Sequence, residues 1–425
     1  MSSVRIGQRA DEALRVLEAA SPAAVDIFTG ILTHGPLSRT DVARATGLSQ
    51  AAVTKAVAPM IAVGLIVDHD PAPRGGPRGR PANPIKVDPA SLVVLGIKVN
   101  PGEVIGVATD LGARMLVSAH QPVGGSFDAV VEGVAEIAER LCALLGDRRE
   151  RLAGVGVSVS GDVDSRNGVV RESALLGWSG EHLGAALTER LGLPVLIEND
   201  VRALTIAEHW FGEGVGTSSF AIITIGSGIG CGLHVNGEVV EGAFGVAGEI
   251  GHLPLTSERF VCTCGRRGCV EAVASTGAIV RAVVEAGGVR DGHPVASIAE
   301  AVALAHEGDP AAVEVFDRAG TVIGTAIATV ANLTGPEIVL ITGEAVSDYD
   351  LYDQRLRAAF EAHAFGAAGR CRIVLRPHTF EDWARGAAAA VLQAIVQQRH
   401  PARRQDPALE RTPALQRAGV EVSAP

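Results

Sequence analysis

Three of the six cysteines fall inside the ten residues Cys262–Glu271, "CTCGRRGCVE". Thiols packed that closely imply a cross-link, a redox pair or a metal cage. Their spacing is C-x-C-x4-C, and Gly265 and Gly268 supply tight turns that can aim several sulfurs at one point. His252 precedes them in "GEIGH". No C-x-x-C accompanies a thioredoxin-like βαβ pattern, which argues against redox chemistry. The polar N-terminus "MSSVRIGQRADEALRV" contains acidic residues and does not resemble a secretory signal. A cytoplasmic location is therefore expected, and there thiols stay reduced. Cys262, Cys264, Cys269 and His252 then make a closed tetrahedral Zn2+ site of the structural kind, one per chain.

Glu249 and His252 bracket this cluster from one side, and Glu271 follows the last cysteine by two residues. Carboxylates fixed beside a rigid imidazole suit polyhydroxyl ligands, which need several acceptors at set positions. If one His252 nitrogen binds zinc, the other is free to meet a sugar hydroxyl in a tautomer set by the metal.

These residues need elements to hold them. At 47% hydrophobic and 20% charged, the 425-residue chain can bury full cores, and disorder is not the default. No uninterrupted apolar run is long enough to suggest a membrane span. The net charge of −11 is uneven: Met1–Ala90 carries +2 and the remainder −13. The front end is therefore judged apart from the acidic body. To about Asp70 it reads as short helices: "PAAVDIFTGIL", then "LSRTDVARATG" with Ser38 and Asp41 as a capping signal, then a helix from Ser49. Val53, Val57 and Met60 face inward on that last helix, and Pro59 should kink it or end it early. Two short β-type runs, "LIVDHD" and "PIKVD", flank the basic stretch "PAPRGGPRGRPAN". This is the order of a winged helix-turn-helix over residues 1–70, with a basic wing or linker over 71–90.

From Leu92 to about Arg399 strands and helices alternate, an α/β pattern. The tail His400–Pro425 has no strong period and reads as largely disordered.

The DNA-reading face is expected on the helix from Ser49. Ala51, Ala52 and Lys55 occupy its outward side and Gln50 its leading end: alanines for thymine methyls, Gln50 for a base edge, Lys55 for a phosphate or guanine. The Arg-Gly-Arg-Pro core of "GPRGRP" is like that of an AT-hook, so Arg78 and Arg80 are expected to read a narrow A·T-rich minor groove.

"GEIGH" followed by "CTCGRRGCVE" resembles the E-x-G-H and C-x-C-G-x-x-G-C-x-E signature of the ROK family of repressors and sugar kinases. The resemblance runs from Ser91 to about Gln398. It implies two actin-like or hexokinase-like lobes around a sugar cleft, split near residue 205, with the last helix returning to the first lobe. It also implies that Asn199 and Asp200 of "END" contact sugar together with Glu249, His252 and Glu271, Asp200 standing at the kinase base position. Arg202 stands where the family often has Asn; it would meet a sugar phosphate or make a surface ion pair.

The nucleotide side is altered. "ITIGSGIGCG" (223–232) resembles the family's second phosphate turn. The first, D-x-G-G-T in the kinases, reads "GIKVNPGEV" here, with Lys98 in place of Asp and Pro101 restricting the loop. In "LITGEAV", Thr342 and Glu344 replace favoured glycines. The expectation is a sugar-responsive repressor with no catalytic residue, binding a roughly palindromic operator as a homodimer or homotetramer. Its effector would be a sugar or a sugar phosphate. The alternative is an ATP-dependent hexose or N-acetylhexosamine kinase with an appended DNA-binding domain.

Overall fold

A computed structural model describes residues 4–69 and 84–397. Arg78, Arg80 and the tail 400–425 lie outside the described residues.

Three serines start the front-end helices. Ser21, Ser38 and Ser49 each accept a hydrogen bond from the backbone N–H three residues on, opening Pro22–His34, Arg39–Thr46 and Gln50–Ala62. Gly47, at φ 70°, ends the second of these in the left-handed region that a Cβ disfavours. Strands Ile66–Asp68 and Pro84–Val87 pair antiparallel, and Leu37–Ser38 adds to the outer side of Pro84–Val87. Val53, Val57 and Met60 are buried, as their period requires. Pro59 does not end its helix, contrary to expectation: the helix continues to Ala62. Pro59 is on the exposed side, and Lys55, whose carbonyl loses its i+4 partner, is exposed too. The orphaned carbonyl thus belongs to the solvent side, where water can supply the missing donor, while Val57 and Met60 pin the turn from the buried side.

The body contains two five-stranded sheets built to one plan. In the first, Met115–Pro122, Glu103–Asp110 and Val93–Asn100 run antiparallel, and Leu152–Val159 and Val195–Asn199 continue parallel to the last of them. In the second, Glu238–Val239, Ile229–Val235 and Phe220–Ile225 are antiparallel, followed in parallel by Ile338–Thr342 and Arg372–Leu375. The stretch "FAIITIGSGIG" is thus two strands joined by the turn at Gly226–Gly228.

The last helix, Phe380–Val396, lies across the first sheet. Gly96 and Gly156 make this possible: a Cβ on either would fall 2.0 or 2.5 Å from the carbonyl oxygens of Ala384 and Ala387. Front end and body are not separate globules. Leu17, Phe28, Val57 and Ile85 share one apolar core with Ile206, Trp210, Val391 and Ile395. The N-terminal segment reaches further, with Val4 in the first sheet's core and the Gly7 N–H donating to the Leu152 carbonyl at 2.9 Å.

Beneath the second sheet, the rings of His209 and His234 lie 3.9 Å apart against Phe220, and His209 Nδ1 has no hydrogen-bond partner among the described residues. Burial, then the charge of His234, hold His209 down to about 4, and burial also lowers His234. The unfolded chain therefore takes up protons below pH 6.5 while the folded one does not until about pH 4. Stability should fall as pH drops through that window. Urea unfolding at pH 7 and 5 should show wild type losing about 2 kcal/mol more than His209→Leu, from the shift of one group. Equal losses would remove this histidine from the acid sensitivity.

Candidate metal centre and ligand cleft

Residues 253–270 contain almost no regular structure; one bridge, Val261 to Arg267, ties the loop to itself. Within it Cys262, Cys264 and Cys269 converge with His252, their ligand atoms all within 4.8 Å of one another. Sγ of Cys262 is 3.7 Å from His252 Nδ1, and Sγ of Cys264 is 3.9 Å from Sγ of Cys269. A tetrahedron with Zn–S of ~2.3 Å and Zn–N of ~2.0 Å has edges of ~3.5–3.8 Å, which these two separations approach, so the four residues could close on such an ion through small side-chain shifts. Burial and the neighbouring thiols push Cys269 up to about 12, so three adjacent thiolates need a cation to be tenable.

His252 presents Nδ1 to the cysteines and Nε2 toward Glu249, 4.0 Å from Oε2. The metal nitrogen and the cleft nitrogen are therefore distinct. Glu271 opens the short helix Glu271–Ala274 and joins two parts of the site. Its Oε1 accepts from the Thr263 hydroxyl at 3.2 Å, and its Oε2 accepts from the Ile229 N–H at 3.2 Å. Glu249 is raised in pKa, first by the protein crowding out water; His252 opposes this, and Asp162, Glu271 and Asp200 add to it. Asp162, Glu271 and Asp200 therefore lie near enough to Glu249 for their charges to act on it. Asp162, half-buried on the edge strand Asp162–Asp164, is the one that the sequence motifs did not single out.

On the opposite wall, Asn199 caps the helix Asp200–Phe211. Its Oδ1 accepts from the Arg202 N–H, and its amide donates to the Gly161 carbonyl at 2.9 Å. Asp200 follows at the first helical position, and its Oδ2 meets Lys98 Nζ at 2.5 Å, with both residues buried. Sequence reasoning noted Lys98 as a lost carboxylate but did not see that it reaches Asp200, 102 positions away.

Arg202 makes the ion pair that was one of its two expected roles, with Glu198, but away from the surface. It is buried, neither on the surface nor open to a phosphate. Nε donates to Glu198 at 2.6 Å, Nη2 to the Ser165 hydroxyl, and Nη1 to the Gly245 carbonyl at 3.1 Å. Arg171 donates to Asp162, Asp164 and the Phe244 carbonyl, so two arginines of the first lobe hold the loop 241–248 over the cleft.

On the front-end helix, Ser49, Gln50, Ala51 and Lys55 are exposed, while Ala52 is half-buried and less available than expected. Its N–H is held by the Ser49 hydroxyl. Gln50 Nε2 donates to Thr40 Oγ1 at 3.0 Å. Thr54, one turn beyond Gln50, is exposed on the same side, and its hydroxyl donates to the Gln50 carbonyl at 2.9 Å.

The ROK family model matches residues 111–394. The chain belongs to the ROK family. Its two sheets are the lobes of the family's actin-like fold. It is 27% identical over 376 residues to the DNA-binding transcriptional dual regulator NagC of Escherichia coli, covering 87% of this chain and 92% of NagC. A glucokinase of Halalkalibacterium halodurans is 33% identical over 225 residues, 50% of this chain and 68% of the enzyme. A solved ROK family transcriptional regulator, a homologue of the E. coli MLC protein, superposes with a TM-score of 0.74 at 26% identity, covering 88% of this chain and 96% of that one. No helix among the described residues is long and apolar enough to cross a membrane.

Proposed function

We propose that this ROK protein is a sugar-responsive transcriptional repressor, and the observation that carries the reading is the Lys98–Asp200 pair. A sugar kinase needs the carboxylate at this position to draw the proton from the attacking hydroxyl. Here a buried ammonium lies against that carboxylate, and the side chain that supplies it stands where the kinase motif has its phosphate-loop aspartate. The pair suits hydrogen bonding to a hydroxyl, which donates to Asp200 and accepts from Lys98. It does not suit phosphoryl transfer.

The ligand contacts would be Asn199, Asp200, Glu249, His252 and Glu271. One structural Zn2+ on His252, Cys262, Cys264 and Cys269 would stiffen the wall that carries three of them. Residues 1–70 would serve as a winged helix-turn-helix, with Ser49, Gln50, Ala51 and Lys55 facing the major groove. Arg78 and Arg80 would enter an A·T-rich minor groove. A homodimer or homotetramer on a roughly palindromic operator completes the reading.

Contiguity of packing supports a coupling route. The helix Asp200–Phe211 places Trp210, near its far end, inside the core shared with the front-end helices. Movement of Asp200 on ligand binding would reach the DNA-reading helix through packed side chains, biasing the population away from the DNA-bound arrangement.

Fluorescence anisotropy with DNA upstream of the protein's own gene tests this, with sugars and sugar phosphates present and absent, each also with Mg-ATP. Release of bound DNA by a sugar without ATP is the expected result. Consumption of sugar only when ATP is present would favour a kinase instead. In the same assay, Lys55→Ala should weaken binding to all sequences alike and reduce the slope of log K against log salt by about one. An unchanged slope would mean that Lys55 touches no phosphate.

A further inference from the structure

We propose that Glu344 is a resident anion: with Glu271 it fills the phosphate turn of the cleft, which thereby admits an uncharged polyhydroxyl ligand and rejects phosphate-bearing ones. The inference rests on reading the cleft as a sugar site, and it decides between the sugar and the sugar phosphate left open above.

Glycine-rich turns bind phosphate through unengaged backbone N–H groups. In the turn Gly226–Gly230, four of the five are already taken. Gly226 N–H donates to the Gly228 carbonyl at 3.1 Å. Ser227 N–H donates to Glu344 Oε1 at 3.1 Å, and Ile229 N–H to Glu271 Oε2 at 3.2 Å. Gly230 N–H donates to the Thr224 hydroxyl at 3.1 Å. The Glu344 carboxylate sits against the turn itself: a Cβ on Gly226 would fall 2.3 Å from its Cδ. Gly343 allows this approach, with φ 109° and no side chain to strike the Ile225 carbonyl, which a Cβ would meet at 2.4 Å.

The cations around the cleft are committed as well. Lys98 is bound to Asp200, Arg202 to Glu198, Ser165 and Gly245, and Arg171 to Asp162 and Asp164. An incoming phosphate would face Asp162, Asp200, Glu249, Glu271 and Glu344, and among the described residues of the turn only the Gly228 N–H is left to receive it. Like charges in a partly dry cleft repel far more strongly than in water. A neutral hydroxyl ligand finds the same carboxylates as acceptors.

Isothermal titration of the full-length, zinc-loaded protein provides the test, with inorganic phosphate and Mg-AMP-PNP as probes. Wild type should bind neither. Glu344→Gly, which opens the space beside Gly226 and removes one anion, should gain binding of both. Glu344→Gln keeps the side-chain volume, guards against a folding defect in the glycine variant, and should show a smaller gain. For glucose and N-acetylglucosamine, the 6-phosphate should bind at least ~tenfold more weakly than whichever parent sugar binds. Phosphate or nucleotide binding by wild type, or no gain in either variant, would overturn the proposal. None of these outcomes depends on DNA release, so the repressor reading stands or falls separately.

Discussion

Lys98→Met is expected to lower unfolding stability by about 3 kcal/mol at pH 7, since it strands Asp200 as an uncompensated, largely buried charge. The methionine preserves most of the packing against Trp383, whose ring lies 5.7 Å from the ammonium. Lost volume is therefore not the main term. Adding Asp200→Asn should recover most of the loss, because a buried pair removed together leaves no orphaned charge. The urea midpoints of both single variants and the double variant settle the point through their coupling energy. Additive losses would mean that the two charges do not stabilise each other, and the case against a functioning kinase base would weaken with them. The same variants report on function: Asp200→Asn should reduce sugar affinity whether or not Lys98 is present.

Cys264→Ser should abolish stoichiometric zinc and weaken sugar binding ten- to a hundredfold, the usual range when the shell that orients ligating groups is disturbed. The loop 253–270 explains the size of the effect. Its backbone hydrogen bonds, among them Thr256 to Gly268, Cys262 to Arg266 and Val270 to Leu253, shape the loop but leave the thiol and imidazole side chains to the ion, and His252 and Glu271 sit at its two ends. The ion would fix the angle of the imidazole and, through Cys262 and Cys264, the position of Thr263 against Glu271. Zinc content by colorimetric titration, with sugar affinity measured on the same sample, provides the check. A variant that loses zinc but keeps its sugar affinity within about twofold would reduce the clamp to a stability element.

Local chemistry was readable from the chain. Ser38 and Ser49 as caps, Gly47 as a stop, the inward row of Val53, Val57 and Met60, and the convergence of His252 with Cys262, Cys264 and Cys269 all depend on residues close in sequence. Short-range geometry decides where such side chains point. The family motifs then indicated the two lobes and the residues that line the cleft. Pro59 shows the limit even at short range, because the cost of a helix proline depends on whether water can reach the orphaned carbonyl.

Tertiary structure alone decided three things. Lys98 reads locally as a missing carboxylate; only the juxtaposition of the first strand with a helix starting 102 positions later makes it the partner of Asp200. Arg202 reads as exposed and polar, yet Glu198, Ser165 and Gly245 close around it. Glu344 reads as an intruder in a glycine position, and its place in the turn at Ser227 comes from pairing Ile338–Thr342 with Phe220–Ile225. Each of these is a charge whose meaning lies in its counter-charge. Sequence determined which charges this protein carries, and the fold determined which of them remain free, because electrostatic partners are chosen by distance in space.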